Sequence, residues 1–284
     1  MDDISEDDLI VRFDELVSEG VIVYGPHTTH LVEDEDYPIE FRICPALTKK
    51  PHKVGASNEA FQDSRPWGPG SDLFRPSDRL TMCQLNGTHD LALNLFCVDR
   101  PQLLVVTSDS YRRQHEPLDA DDFTVMLEVL RKWKSWYMIF NCGEKGGCSR
   151  VHKHVQGLKG PPHAFDALLR ADEGKGMVPF QYFLHRFEQG FAEASPRVLL
   201  EVYTQMLARC RSTLGLGNEE VICPHNVVLW NDNLVVIPRR AGMWKGASAN
   251  TGGMMGSVWV PDQAEMDKWL QLGCANVLRE LGSQ

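Results

Sequence analysis

Residues 4–19, ISEDDLIVRFDELVSE, bring Ile4, Leu9, Ile10, Phe13, Leu16 and Val17 near one face of a helix, with acids early and Gly20 as a stop. GVIVYG behind it predicts a short strand. HTTHLVEDEDYPIEFRI is polar before it turns strand-like, and CPALTKKPHK carries three lysines within five residues. Residues 54–79 break every periodicity, with glycines and prolines clustered around Trp67. A loop of that length is either functional or an arm wrapped over another surface. Trp67 and Phe74 require a partner, which is either the domain itself or a ligand.

DLALNLFCV and QLLVVTS are apolar runs about a turn at Asp99-Arg100-Pro101, which predicts a hairpin. LDADDFTVMLEVLRKWKSW has helical periodicity and an acidic start. YMIFN then reads as a strand feeding a glycine-rich loop, and VHKHVQGL as a strand leaving it. A Pro-rich break at GPPHAF opens a second half. There FQYFLHRF predicts a strand, and SPRVLLEVYTQMLARCRSTLG a helix capped by Ser195, with Pro196 in its first turn and Gly215 near its stop. HNVVLW-NDN-LVVIPRR is a second hairpin, weakly similar to the first, and DQAEMDKWLQLGCANVLREL closes the chain as helix.

Composition narrows the function without fixing it. The chain has 284 residues, 43% hydrophobic and 24% charged, enough for one large or two modest domains. A formal charge of −10 argues against binding DNA or RNA through bulk electrostatics, while an anionic small molecule stays open to a local donor-rich site. No apolar stretch approaches the roughly 20 residues of a membrane span, and the acidic N-terminus lacks the order of a secretory signal. The eight cysteines form no CxxC pair and fit reduced, mostly buried thiols of a cytoplasmic protein. No segment marks a subunit interface, and a monomer is the simplest expectation.

The chemistry concentrates in residues 141–156, NCGEKGGCSRVHKHVQ. On a strand, His152, His154 and Gln156 share a face and Lys153 turns away. Two histidines could bind zinc with Cys142 or Cys148, but the spacing matches no recurrent zinc pattern and glutamine is a poor zinc ligand. A purely structural pair is the bland alternative. A nucleophile fits the segment better: neutral imidazole can attack phosphorus if its other nitrogen donates to a fixed acceptor. Gly143, Gly146 and Gly147 can turn successive N–H groups inward as an anion nest, beside the Ser149 hydroxyl and the Asn141 amide. Gln156 forms hydrogen bonds but does not shuttle protons, which suits leaving and entering groups that are already anions. The segment therefore points to transfer rather than hydrolysis.

N-x-G-x-x-G-G-x-S-x-x-H-x-H-x-Q resembles the phosphate loop and active strand of the histidine-triad (HIT) superfamily, in its transferase branch. PALTKKP, LNLFCVDRPQLLVVTS followed by Gln114, VPFQYF, NVVLWNDNLVVIPRR and NTGGMMG are similar, in order, to segments of the diadenosine tetraphosphate phosphorylases (ATP adenylyltransferases). The resemblance covers most of the chain. It implies an α+β fold with a HIT-like antiparallel sheet flanked by helices. Residues 1–160 would be a catalytic half with an N-terminal extension, and 161–284 an adenylyltransferase-like half packed onto it as one compact unit. It further implies that His154 takes up AMP and that Gln156 and Ser149 hold the phosphates. Asn141, Gly147 and Cys148 would line the loop, with His152 orienting His154, Asn94 beside the nucleoside and Lys50 reaching the polyphosphate.

The implied substrates are diadenosine polyphosphate, ATP, ADP and phosphate. No cofactor or protein-held metal is implied, and Mg2+ would come with the polyphosphate. Two of the family's usual lysines are replaced, at Leu95 and Pro261; Lys145, Arg150, Lys153, Arg239 and Lys245 are candidate substitutes. The alternatives are a HIT-type hydrolase, a transferase for another nucleotide such as a uridylate, and a nucleotide-binding protein without turnover.

Overall fold

The computed structural model describes residues 1, 3–49, 66–217 and 219–284. In chain order its elements are α1 (Glu6–Ser18), β1 (Thr28–Asp34), β2 (Tyr37–Ile43), β3 (Thr81–Leu85), β4 (His89–Leu93), β5 (Leu103–Thr107), α2 (Ala120–Lys132), β6 (Trp136–Asn141) and β7 (His154–Lys159). Then follow α3 (Phe165–Asp172), β8 (Phe183–Arg186), α4 (Gly190–Glu193), α5 (Pro196–Leu214), β9 (His225–Trp230), β10 (Asn233–Pro238), β11 (Met243–Trp244), β12 (Ala247–Ser248), α6 (Thr251–Met254), β13 (Ser257–Val260), α7 (Gln263–Leu272) and α8 (Cys274–Leu281).

Eight strands form one antiparallel sheet in the order β3-β4-β5-β7-β6-β9-β10-β8, so β7 lies near its middle. Leu103, Val105, Met138, Phe140, Val155, Val227 and Val236 pack on one face against α1, α2 and α5. Ile139, Val228, Val235 and Ile237 pack on the other against α3, α7, α8 and a small sheet in which β2 pairs antiparallel to β1 and parallel to β13. An α+β fold with an antiparallel sheet between helices is what the structure contains.

Local signals account for most elements. Ser5 caps α1 and Asp119 caps α2, each in a reciprocal capping box. Ser195 caps α5, whose end falls at Gly215 with φ +66°. Four expectations differ. The 20–25 strand is only a bridge between Val23 and Phe96. The polar 28–34 stretch is a strand, β1, exposed along most of its length and therefore without an apolar alternation. The closing helix is two, broken at Gly273 with φ +80°. The first hairpin ends its strands at Leu93 and Leu103, with an ordered connection between them in which Asn94 N–H meets the Gln102 carbonyl at 2.9 Å. The 54–65 part of the predicted irregular stretch, and Lys50, lie outside the described residues. Trp67 and Phe74 line a large cavity, with Arg75 stacked 4.9 Å over the Trp67 ring.

Two buried polar clusters anchor the middle of the sheet from the helical side. Lys153 is 0% exposed and donates to Asp122 at 2.5 Å and to the Pro117 carbonyl at 2.8 Å. It faces away from the cavity, as strand alternation requires. His225 donates through Nδ1 to the Cys223 carbonyl at 2.7 Å and accepts from Tyr203 Oη at 2.7 Å. Burial lowers its pKa to about 4. Between pH 6.5 and 4 the unfolded chain therefore takes up a proton that the folded His225 refuses, so stability falls as pH falls through that window. The loss amounts to roughly 2.5 kcal/mol by pH 4.5. Thermal unfolding at pH 7 and 4.5 should show a smaller acid shift for His225→Gln than for the wild type; equal shifts would remove His225 as the cause.

Candidate active site

His154 is the first residue of β7, opposite Val106 of β5, and Gln156 lies opposite Leu104 of β5 and Ile139 of β6. The two side chains share a sheet face and line a cavity of about 1250 Å³. His154 Nδ1 is 2.8 Å from the carbonyl oxygen of His152. A carbonyl only accepts, so Nδ1 carries the proton and Nε2 the lone pair. Gln114 pins the same residue's backbone: its Oε1 accepts from His154 N–H at 2.8 Å, and its Nε2 donates to the carbonyls of His154 and Asn141 at 3.0 Å each.

His152 does not line the cavity. It precedes the strand, and its ring is 0% exposed. Nε2 donates to the Thr107 carbonyl at 2.9 Å and Nδ1 accepts from the Ser71 hydroxyl at 2.8 Å. Burial lowers its pKa, which keeps the ring neutral. It therefore supports His154 through its carbonyl, and its ring fastens the 66–80 loop, where Asp72 also accepts from the N–H groups of Val151 and His152. Among the described residues no group of three His, Cys, Asp or Glu side chains forms a metal-ligand set.

The glycine loop departs from the expected nest. Gly143 and Gly147 have φ of +69° and +85°, but Gly146 does not lie in the positive region. The N–H groups of Gly146 and Cys148 bond to the Gly143 carbonyl and that of Gly147 to the Glu144 carbonyl, so the loop spends them on its own turns. Among the donors left toward the cavity are the Ser149 hydroxyl and N–H, which meet no protein acceptor among the described residues, and side-chain amides.

Those amides are oriented. Asn141 Oδ1 accepts from Thr251 N–H at 2.8 Å, with the Thr251 hydroxyl and Asn226 Nδ2 also in range, leaving its NH2 end for a ligand. Asn94 Oδ1 accepts from Phe96 N–H at 3.3 Å, with the same consequence.

Asn94, Asn141, Gly147, Cys148, Ser149, His154 and Gln156 all line the one cavity. Of the cations, Lys145 and Arg150 line it as well, joined by Arg240, which the sequence did not single out. Lys245 instead lies 4.4 Å over the Trp244 ring. Arg239 is 0% exposed beneath the loop, bonded to the carbonyls of Gly146, Ala249, Ala241 and Leu281 and to Asn226, and burial lowers its pKa to about 9. Leu95 and Pro261, where the family's lysines are replaced, both border the cavity. Gln102, Gln114 and Thr251 were not predicted as site residues. Each is a lone polar residue whose role depends on what the fold brings to it.

The wall is drawn from both halves: Trp67, Phe74 and Asn94 beyond β5, and residues 240–262 beyond the loop, with His154 between. A cavity of this size, with a buried histidine whose lone pair lies on Nε2 and with oriented amide donors, has the chemistry to take up a phosphoryl-linked group.

The comparisons agree. The Ap4A phosphorylase N-terminal domain matches residues 14–166 and the ATP adenylyltransferase C-terminal domain residues 176–284. The chain belongs to the Ap4A phosphorylase family, Ap4A being diadenosine tetraphosphate. Diadenosine 5',5'''-P1,P4-tetraphosphate phosphorylase 2 of Saccharomyces cerevisiae is 22% identical over 258 residues, covering 79% of this chain and 77% of the relative. The fold is that of yeast Ap4A phosphorylase Apa2, solved with AMP and with Ap4A. Its TM-score is 0.75 and its identity 17%, over 98% of this chain and 95–96% of that one. No helix among the described residues is long and apolar enough to cross a membrane.

Proposed function

We propose that the chain cleaves diadenosine tetraphosphate by phosphorolysis through an adenylyl group carried on His154. The observation that carries this reading is the Nδ1–H to His152 carbonyl bond, which leaves the lone pair on Nε2, beside an amide rather than a third histidine. Nε2 attacks the α-phosphorus; the bond from phosphorus to the β-bridging oxygen breaks, and ATP leaves as an anion. The Nδ1 proton stays on the ring, shared with the carbonyl, so the adenylyl-imidazolium retains a good leaving group. A phosphate oxygen then attacks, the N–P bond breaks, and ADP departs. Neither step requires a proton donor, which suits Gln156.

In this scheme Gln156 and Ser149 donate to the phosphoryl oxygens, and Asn141 adds its NH2 end. Gly147 and Cys148 shape the loop against the phosphates, Asn94 faces the nucleoside, and Arg150, Lys145 and Arg240 supply positive charge. Lys50 would reach the polyphosphate, to which Mg2+ would be bound without a protein cage.

Product analysis tests the proposal. Diadenosine tetraphosphate with inorganic phosphate should give ATP and ADP in equal amounts, and no turnover beyond a single equivalent without phosphate. Steady formation of ATP and AMP in phosphate-free buffer would mean hydrolysis and would overturn it.

A further inference from the structure

We infer that Gln102 is a positioning residue that sets which end of the Gln156 amide faces the reacting phosphate. This rests on the phosphoryl-transfer reading of the site and goes beyond it, because it concerns how the chain selects a donor over an acceptor. The oxygen and nitrogen of a primary amide are almost equal in size. A half-turn about the last side-chain torsion therefore meets little steric resistance, yet replaces an N–H donor with a lone pair. Beside an anionic phosphate the first attracts and the second repels. Packing alone does not make that choice.

The choice is made by a relay. Gln156 Oε1 accepts from Gln102 Nε2 at 2.8 Å. That bond alone is ambiguous, because both amides could turn together and exchange roles. The ambiguity ends at Val98, whose backbone N–H lies 3.1 Å from Gln102 Oε1. A backbone N–H only donates, so the Gln102 oxygen must face Val98 and its NH2 must face Gln156. The Gln156 oxygen is then occupied, and its NH2 is the end presented to a ligand.

The nearby carboxylates are engaged elsewhere. The pair also lines a smaller cavity of about 170 Å³ that includes Glu40 and Asp99. Both carboxylates are bonded to Arg42, Asp99 at 2.6 Å. Gln102 itself is 4% exposed, and its carbonyl holds Asn94 N–H, so the relay is fastened to the connection that carries the nucleoside-side amide.

Glutamine is required at 102 because one side chain must accept at one end and donate at the other. Methionine of similar length does neither. Glutamate keeps the Val98 bond but offers Gln156 an acceptor, which draws the Gln156 NH2 away from the ligand.

The experiment is a double-mutant cycle in turnover of diadenosine tetraphosphate with phosphate, with AMP affinity by calorimetry measured on the same proteins. Gln156→Ala should lower kcat by about 100-fold, the typical loss of one oriented donor. Gln102→Met should lower kcat about tenfold and Gln102→Glu about 100-fold, with KM changing less than threefold. In the Gln156→Ala background Gln102→Met should cost less than twofold, because there is no amide left to orient. A merely structural role would cost the same tenfold in both backgrounds, and that result, or a Gln102→Met enzyme with wild-type kcat, overturns the inference. Gln102→Glu, which keeps the Val98 bond, carries the test if the methionine variant does not fold. A wild type without turnover would be a failure of the phosphorylase reading instead. The cycle is then read in AMP affinity, where additive losses reject the relay and coupled losses support it.

Discussion

Alanine at position 154 removes phosphorolysis, with an expected loss in kcat of about 10⁴-fold or more, the order seen when a covalent nucleophile is deleted. The effect should fall on kcat and leave binding, because His154 contributes one nitrogen to a cavity whose affinity comes from amides, cations and aromatic surface elsewhere. Its Nδ1 and backbone N–H are both committed, to the His152 carbonyl and to Gln114. Those bonds fix the ring for attack, and the alanine variant keeps the second of them, so its fold and stability should stay near those of the wild type. Turnover by His154→Ala above one-hundredth of the wild-type rate would mean that another group attacks. Cys142 is a poor candidate for that role, since it does not line the cavity and burial pushes its thiol up to about 12; the cavity's Cys148 thiol donates to the Arg150 carbonyl at 3.0 Å.

Gly147→Ala should be the most damaging single methyl in the loop. At φ +85° its Cβ would lie 2.5 Å from the Ala249 carbonyl oxygen and 2.6 Å from Asn250 Cα. Both are backbone atoms of the segment that brings Thr251 to Asn141, so relief of the clash must move that segment. Left-handed strain together with overpacking amounts to roughly 2–5 kcal/mol. Turnover should fall with stability, since the Asn141 amide loses the N–H that orients it. Gly143→Ala makes the comparison: φ +69° with ψ −177° is a conformation nearly reserved for glycine, but the nearest atom is His115 Cβ at 3.5 Å, so only the backbone strain of about 1–3 kcal/mol remains. Urea unfolding of the two variants should rank them in that order; a Gly147→Ala protein within about 0.5 kcal/mol of wild type would contradict the packing described.

The contrast between those glycines shows where sequence stops being informative. That residues 143–147 form a tight loop is legible from composition, and so is the strand that follows it. Which glycine is needed for space depends on Ala249 and Asn250, about a hundred residues away. The same holds for the loop's donors. Glycine spacing suggests a nest, whereas the carbonyls of Gly143 and Glu144 consume the N–H groups of residues 146–148, a pairing set by the fold of the turn and not by glycine content.

His154 and Gln156 were legible because strand alternation is a local rule. His152 lies two residues before the strand, and its ring is held by Ser71 and the Thr107 carbonyl. Gln102, Gln114 and Thr251 sit in no pattern that assigns them a role: an isolated glutamine or threonine reads the same whether it faces solvent or orients an active-site group. At the level of fold, α5 was readable to its caps, while β1 was hidden by having little buried surface to pattern its sequence.

The decisive measurement is the intact mass of the protein after brief exposure to diadenosine tetraphosphate without phosphate, followed by peptide mapping. A covalent adenylyl group should appear on His154, be lost in acid as a phosphoramidate is, and be released as ADP when phosphate is added. Turnover with no adduct, or an adduct on any other residue, would contradict the mechanism built on His154.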